Sequence, residues 1–557
     1  MYVNGDRRER YANVQSDAEQ QGARFLDSDS VSTDSEQSLE IVRRWLSDCT
    51  LKHMKCSVAE PLLWKPKRLL DVSIRGPGGA QGVRLCDGLF ADPLSEYVTL
   101  SYCYGTAKPT RLHKKTLPAL RQGVAASSLP KTIADAAFIT RELGFKYLWV
   151  DSLCLMQDSA EEMLSESSQM DKVYSGASLN LAATASKDTQ GGLFYARNVS
   201  ALQPCIVDLP AGDVLPGTYY CLRSAVWQDL VDRSPLAKRA WILQERALAK
   251  RTLHFTRNEL LWECQETCCS ESFPDGLPAQ LSSSEKVSSV VSFDKKLHHR
   301  QIGNWHDLVR AYTQGSLTYR SDKLIAMSAL VRQYATRNRF RETDYVVGLW
   351  RPELPHALLW QVETGLRPTK YRAPSWTWAS MDGMVLYPVA SRSSKDTCVE
   401  VIDISIKYKT DPYGLVESGN LKLRGFLVKG MLHRSKEHWD RTSCTVTGLH
   451  SEFTIGSASF DERLPQVDGV LEEIYCLPVV ETVDRMEGLL LRAMEEIGRG
   501  VFRRLGSFQI SRWDQVSWDR FKENMKGDPT LDNYEHRLDH TNAYWFASDY
   551  TYTINIV

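Results

Sequence analysis

The sequence predicts an α/β fold, a mostly parallel sheet with flanking helices, followed by a helical segment and a β-rich C-terminal region. Three observations carry that expectation. Tyr147–Val150 is an apolar run without polar alternation, the mark of a strand buried on both faces, and Asp151 stops it at its C-terminal end. Ahead of it, Ile133, Ala136, Ala137, Thr140 and Leu143 recur at helical spacing between Leu129-Pro130 and Gly144. Behind it, a second helical pattern leads into the apolar run Ser178–Ala185. Strand, helix, strand, helix, strand is the order that right-handed parallel crossovers produce. In open α/β sheets ligands sit beyond the carboxyl ends of the strands, which puts Asp151 near any site. The same spacing also suits a purely local role for Asp151, capping the next turn.

The other elements follow in chain order. Residues 1–36 are polar (GDRRER, QSDAEQQ, SDSVSTDSE) and carry too few apolar groups to offset the entropy of ordering, so a disordered tail is expected. Ile41, Val42, Trp45 and Leu46 mark a helix over Leu39–Leu51, which runs into Cys49, His53 and Cys56. A structural zinc takes four ligands, and no fourth is close in sequence, so the trio reads as a helix end with buried thiols and no metal is expected. Arg68–Val72 and Val83–Cys86 read as an edge hairpin around a Gly-Pro-rich loop. Tyr97–Gly105 is a strand ended by glycine. No further glycines follow at Rossmann or P-loop spacing, which excludes both nucleotide fingerprints. Glu161–Tyr174 reads as one helix with Met163, Leu164, Met170 and Val173 inward, and Gly191 and Gly192 sit in the loop after the next strand.

From Ser234, an N-cap serine and Pro235 open a helix whose apolar stripe is Leu236, Ala240, Leu243 and Ala247. At 100° per residue Glu245 falls on the opposite side, one turn after Trp241, where an exposed carboxylate is the ordinary outcome. Thr252–Phe255 and Leu260–Cys264 form a hairpin around an Arg-Asn turn, and the first domain spans residues 37–265 with its core at about 95–250. Residues 266–300 read as a Ser-rich mobile insertion, in which adjacent Cys268 and Cys269 cannot bridge each other without strain. Residues 301–395 hold two helices, the second capped by Ser321, and an extended Ala-Pro-Ser-Trp-Thr-Trp run whose Trp376 and Trp378 read as core. Residues 396–557 alternate as an antiparallel sandwich or small barrel, with a charged helix or loop at 512–541.

Composition narrows the function. Hydrophobic residues make up 43% of the 557, enough for substantial cores, and the formal net charge of -1 gives no global field for nucleic acid or anionic membrane. No apolar run approaches the length of a membrane span. Thirteen cysteines in so long a chain, without a secretory signal, point to reduced thiols and a cytoplasmic protein.

Several blocks in fixed order resemble the fungal heterokaryon incompatibility (HET) domain. They are YVTLSYCYG, LPKTIADAAFITRELGFKYLWVDSLCLMQD with MDKVYSGASLNLAATA, and RAWILQERALAKRTLHF with LWEC. SLTYRSDKLIAMSAL, GLW and APSWTWAS resemble the segment that usually follows that domain. The family's first block usually ends Trp-Gly, whereas this chain has Tyr104-Gly105, a phenol in place of an indole. The resemblance implies a role in non-self recognition and regulated cell death, exercised through self-association or protein partners. It also implies a flavodoxin-like fold, because the HET domain is similar to TIR domains. Some TIR domains cleave NAD with a helical glutamate in a Trp-Cys-x-x-Glu segment, which Trp241-x-x-x-Glu245 resembles. A degenerate regulator is a third implied role.

On that footing Glu245 is the candidate catalytic carboxylate. Such a group stabilises an oxocarbenium-like transition state and holds the ribose hydroxyls. Trp241 and Tyr104 are candidate stackers, Ser101 and Asp151 candidate polar contacts, and Arg239 and Arg246 candidates to meet phosphate, although basic residues on a helix are usually solvated. Cys154 lacks a His near in sequence and reads as inert. NAD is the candidate substrate, and no resident cofactor is expected.

Overall fold

The computed structural model describes residues 11–15, 30–56, 64–75, 79–90, 95–105, 110–167, 169–202, 205–209, 217–223, 226–277, 291–294, 299–302, 304–387, 397–409, 411–434, 444–462, 469–525 and 551–557. The chain divides into two compact units, Met1–Leu308 and Val309–Val557.

The first unit is organised on nine strands: β1 (Arg68–Asp71), β2 (Gly82–Asp87), β3 (Tyr97–Ser101), β4 (Val124–Ala125), β5 (Tyr147–Trp149), β6 (Leu179–Ala182), β7 (Arg251–Phe255), β8 (Leu260–Cys264) and β9 (Cys268–Ser270). They lie in the order β9-β8-β7-β6-β3-β5-β1-β2-β4. The central strands β5, β3, β6 and β7 are parallel. They are the apolar runs of the sequence, and every residue of β3, β5, β6 and β7 is buried. The sheet as a whole is mixed, not mostly parallel. The expected edge hairpin β1–β2 adds antiparallel to β5, and β7–β8–β9 adds antiparallel at the other end. Short connections such as Thr256–Glu259 join only antiparallel neighbours, since a parallel partner needs a crossover. Strand β9 falls inside the stretch expected to be an insertion, while residues 278–290 lie outside the described residues.

The helices used below are α1 (Glu36–Lys52), α2 (Lys131–Glu142), α3 (Ala160–Ser167), α4 (Met170–Gly176) and α5 (Ala240–Leu248); shorter ones span Leu117–Gln122 and Asp151–Cys154. Ser35 caps α1, which buries Leu39, Val42, Trp45 and Cys49. The Trp45 ring lies 6.2 Å from that of Trp262 on β8. The expected single helix Glu161–Tyr174 is two, α3 and α4, because the Ser-rich stretch Ser165–Gln169 favours a turn. Tyr11–Gln15, within the tail expected to be disordered, pairs antiparallel with Gly217–Arg223, and the rest of residues 1–29 lies outside the described residues.

The two helices expected after the insertion are α6 (Trp305–Gln314) and α7 (Ser328–Asn338). The segment after Ser321 differs: it winds as two 3-10 turns, Arg320–Lys323 and Ile325–Met327, before α7 begins. Trp376 and Trp378 are fully buried, as their run of aromatic residues predicts. Trp378 Nε1 donates to the Gly348 carbonyl at 2.7 Å. Ten strands between Val399 and Ile556 form one sheet, antiparallel except where Val501–Ser511 meets Tyr552–Ile556. Within the expected 512–541 insertion, Gln515–Asn524 is helical. Among the described residues no helix is long and apolar enough to cross a membrane.

Candidate functional site

Strand β3 lies between β5 and β6, so the chain steps to one side of β3 and then returns to the other. Beyond the carboxyl ends of strands at such a reversal is where an open α/β sheet holds its ligand, here the ends of β3 and β6. The register puts Ser101 opposite Ala182 and Thr99 opposite Asn180. Thr99 and Ser101, two apart on β3, share one face. The Thr99 hydroxyl lies 3.0 Å and the Ser101 hydroxyl 3.2 Å from Asn180 Oδ1, a polar track inside an apolar sheet.

Glu245 reaches this track from α5. The expected continuous helix from Ser234 is interrupted: Leu236–Lys238 is a 3-10 turn, Arg239 is extended, and the α-helix starts at Ala240. The restart turns Glu245 inward, so the exposure expected from simple helical spacing is not found; it is 4% exposed. The Ser101 hydroxyl donates to Glu245 Oε2, and the Tyr174 phenol of α4 bonds the same carboxyl group. Burial pushes the Glu245 carboxyl above the ordinary carboxylate range, against the pull of Arg239 and of these two hydroxyls, and Asp151 adds repulsion.

Tyr104 and Asp151 form the neighbouring half of the site. The Tyr104 phenol donates to Asp151 Oδ2 at 2.5 Å. Asp151 Oδ1 also accepts from the Ser152 N–H at 2.6 Å, at the first residue of the short helix Asp151–Cys154, whose N-cap is Val150. The Arg239 guanidinium lies 5.0 Å from the centre of the Tyr104 ring and that of Arg111 lies 5.9 Å away. Arg239 also donates to the Tyr102 carbonyl. Burial works against the Arg239 charge but is outweighed by Glu245, Tyr104 and Asp151, which raise its pKa. Where the family usually has an indole, the phenol keeps both a donor and a ring face. Gly105 follows with φ +67°, and a Cβ there would meet Asp188 Cβ at 2.3 Å, so only glycine fits beside this tyrosine. Glu245 and Ser101 are deeply buried, while Tyr104, Asp151, Arg111 and Arg239 are partly exposed. The arrangement is a closed carboxylate floor under a rim that carries an aromatic ring and two guanidiniums.

Ser101, Tyr104, Asp151, Arg239 and Glu245 therefore come together. Trp241 is partly buried against the apolar core of the unit. Arg246 is not solvated: it pairs with Glu263 at 2.7 Å and Asp232 at 2.9 Å. Glu263 in turn meets His254 Nε2 at 3.2 Å, and His254 Nδ1 lies 3.1 Å from the Thr184 hydroxyl. Cys154 is 1% exposed and its thiol is pushed up by burial, which suits an inert core residue. Thr99, Tyr174 and Asn180 escaped the sequence reading; the one signal for them was an asparagine set in the apolar strand Leu179–Ala182.

A second cluster involves the trio at the end of α1. Cys264 joins Cys49, His53 and Cys56, and the four ligand atoms lie within 4.8 Å of one another. The fourth partner, which is not close in sequence, comes from β8.

Residues 97–245 match the model of the family described as heterokaryon incompatibility protein (HET). That segment is similar to the HET domain. The matched segment begins on the first residue of β3 and ends on Glu245, so the candidate site is assembled within it. No curated protein and no solved structure matches the chain.

Proposed function

We propose that this chain is a fungal heterokaryon-incompatibility factor that acts in the cytoplasm, where its HET domain serves non-self recognition and cell-death signalling through self-association or protein partners. The family match supports the incompatibility role. The observation that carries a ligand-dependent form of it is the contact between Ser101 at the tip of β3 and the buried Glu245. A carboxylate held at a sheet's switch point and raised by burial is what small-molecule sites are built from, more than what a passive surface needs. Expression of the chain in a fungal host should arrest growth, and Glu245→Ala should relieve the arrest; unimpeded growth with the wild-type chain counts against a death role.

The strand order favours a second reading, TIR-like NAD hydrolysis. In chain order the parallel strands lie 2-1-3-4, the start of the flavodoxin-type order whose ligand sits between the first and third strands. In that reading water replaces nicotinamide on the ribose carbon, giving free nicotinamide and ADP-ribose. Glu245 stabilises the oxocarbenium-like centre and holds the ribose hydroxyls, Tyr104 stacks, and Arg239 and Arg111 face the phosphates. Concentrated protein incubated with NAD should release nicotinamide, and Glu245→Ala should lower the rate by about 10²-fold or more. The acid limb of the rate profile should lie above the ordinary carboxylate range, as burial of Glu245 dictates. Absence of release in both proteins favours binding without turnover, and release that survives the substitution removes Glu245 from the chemistry.

A further inference from the structure

Three cysteines and a histidine converge where α1 ends against the sheet. Cys49 and His53 are four residues apart and so share a helix face. Cys56 follows in the next turn, its N–H donating to the His53 carbonyl at 3.2 Å. Cys264 closes β8, 208 residues after Cys56 in sequence. All four ligand atoms lie within 4.8 Å of one another, and Cys264 Sγ is 3.4 Å from His53 Nδ1. A tetrahedral zinc with Zn–S bonds of about 2.3 Å spaces its sulfurs about 3.8 Å apart, so four donors at this range surround a volume of the right size. The three sulfurs are buried, at 0%, 1% and 0% exposure, which is the closed environment of a structural site.

The surroundings are those of thiolates. The Thr267 N–H points at Cys264 Sγ at 3.4 Å, and the Glu266 N–H bonds it as well. Amides aimed at a ligand sulfur are an outer shell that orients it and stabilises its charge. The two ligand-bearing loops are also tied together, with the Lys55 N–H donating to Glu266 Oε1 at 2.6 Å. Arg251, 5% exposed, sets its Nε 3.1 Å from Cys49 Sγ and bonds the Cys56 carbonyl at 3.2 Å. A zinc ion with three thiolates and one neutral imidazole carries a net charge of about −1, which this buried guanidinium balances.

We propose that Cys49, His53, Cys56 and Cys264 bind a structural zinc ion that fastens α1 to β8 at the edge of the sheet. The ion stands apart from Glu245 and takes no part in any NAD chemistry. The test uses the full chain, purified under reducing conditions without added metal, with zinc measured by mass spectrometry. One zinc per chain is expected, falling to near zero in Cys56→Ser and in Cys264→Ser. Because those variants remove core thiols and can fail to fold, the wild-type chain is also exchanged with Co²⁺. Intense visible d–d bands with thiolate charge transfer, the signature of tetrahedral cobalt–cysteine coordination, are the expected result. A folded wild-type chain that binds neither zinc nor cobalt stoichiometrically, or one in which two of these cysteines form a disulfide, overturns the proposal.

Discussion

The Ser101 hydroxyl reaches both Glu245 and Asn180 Oδ1, with Glu245 the nearer. Replacing Ser101 by alanine leaves a buried carboxyl group short of one donor, with an expected cost of about 1–3 kcal/mol in chemical denaturation. The pH response follows from the same burial. The Glu245 pKa is raised in the folded chain, so the group contributes stability that is fully present below the unfolded value and is lost as pH rises through the folded one. Glu245→Gln should therefore flatten the fall in stability above the ordinary carboxylate range, and a slope unchanged by the substitution would assign it to other groups. At this scale the candidates with chemistry were legible from position: Ser101, Tyr104 and Asp151 stand at strand ends, and Glu245 and Arg239 on the helix that follows. Tyr174 and Asn180 were not, because nothing in a tyrosine on a helix or one asparagine in a strand says which partner the fold will supply.

The α5 element joins the site to the sheet edge through Arg246. Its guanidinium holds Glu263 of β8, which is 2% exposed, and Asp232 of the preceding turn. Arg246→Ala should destabilise the chain by about 3–5 kcal/mol, since it takes the guanidinium from a buried carboxylate and leaves it His254, and a double variant with Glu263→Gln should recover much of that loss. Denaturant midpoints of the two variants decide between this and a merely solvated arginine, for which both changes would be small. Element identity was legible where the periodicity was strong: α1, α2, β3, β5, β6 and the β7–β8 hairpin all occur within a few residues of their predicted limits. The breaks were not legible. The kink at Arg239 involves residues with adequate helix propensity, and packing against the sheet overrides that weak preference; the turn between α3 and α4 falls in a Ser-rich stretch whose turn preference the apolar spacing alone does not register.

Across the whole molecule, ionisable groups buried in separate units pull stability in opposite directions with pH. In the second unit Lys323 is fully surrounded, donating to the Met381 carbonyl over the Trp378 ring. Burial, with Arg372 nearby, brings its pKa down to about 7. Its folded value lies below the unfolded one, so stability rises with pH from about 7 toward the ordinary lysine value and is lost as pH falls through 7. Lys323→Met should remove that rise and leave the acid-side slope due to Glu245 intact; melting temperatures from pH 4 to 10 would separate the two, and a common response to both substitutions would refute the assignment. The sequence by itself determined the α/β alternation, the buried parallel strands, the kinship with the HET family and the β-rich C-terminal region. Each of these follows from short-range pattern: hydrophobic period, turn chemistry and block order act over a few to a few tens of residues. Only the tertiary structure decided that β3 sits between β5 and β6, that Glu245 turns inward onto Ser101, and that Cys264 meets Cys49, His53 and Cys56. Those are contacts between residues 50 to 215 positions apart. Packing chooses such partners, and no local periodicity records the choice.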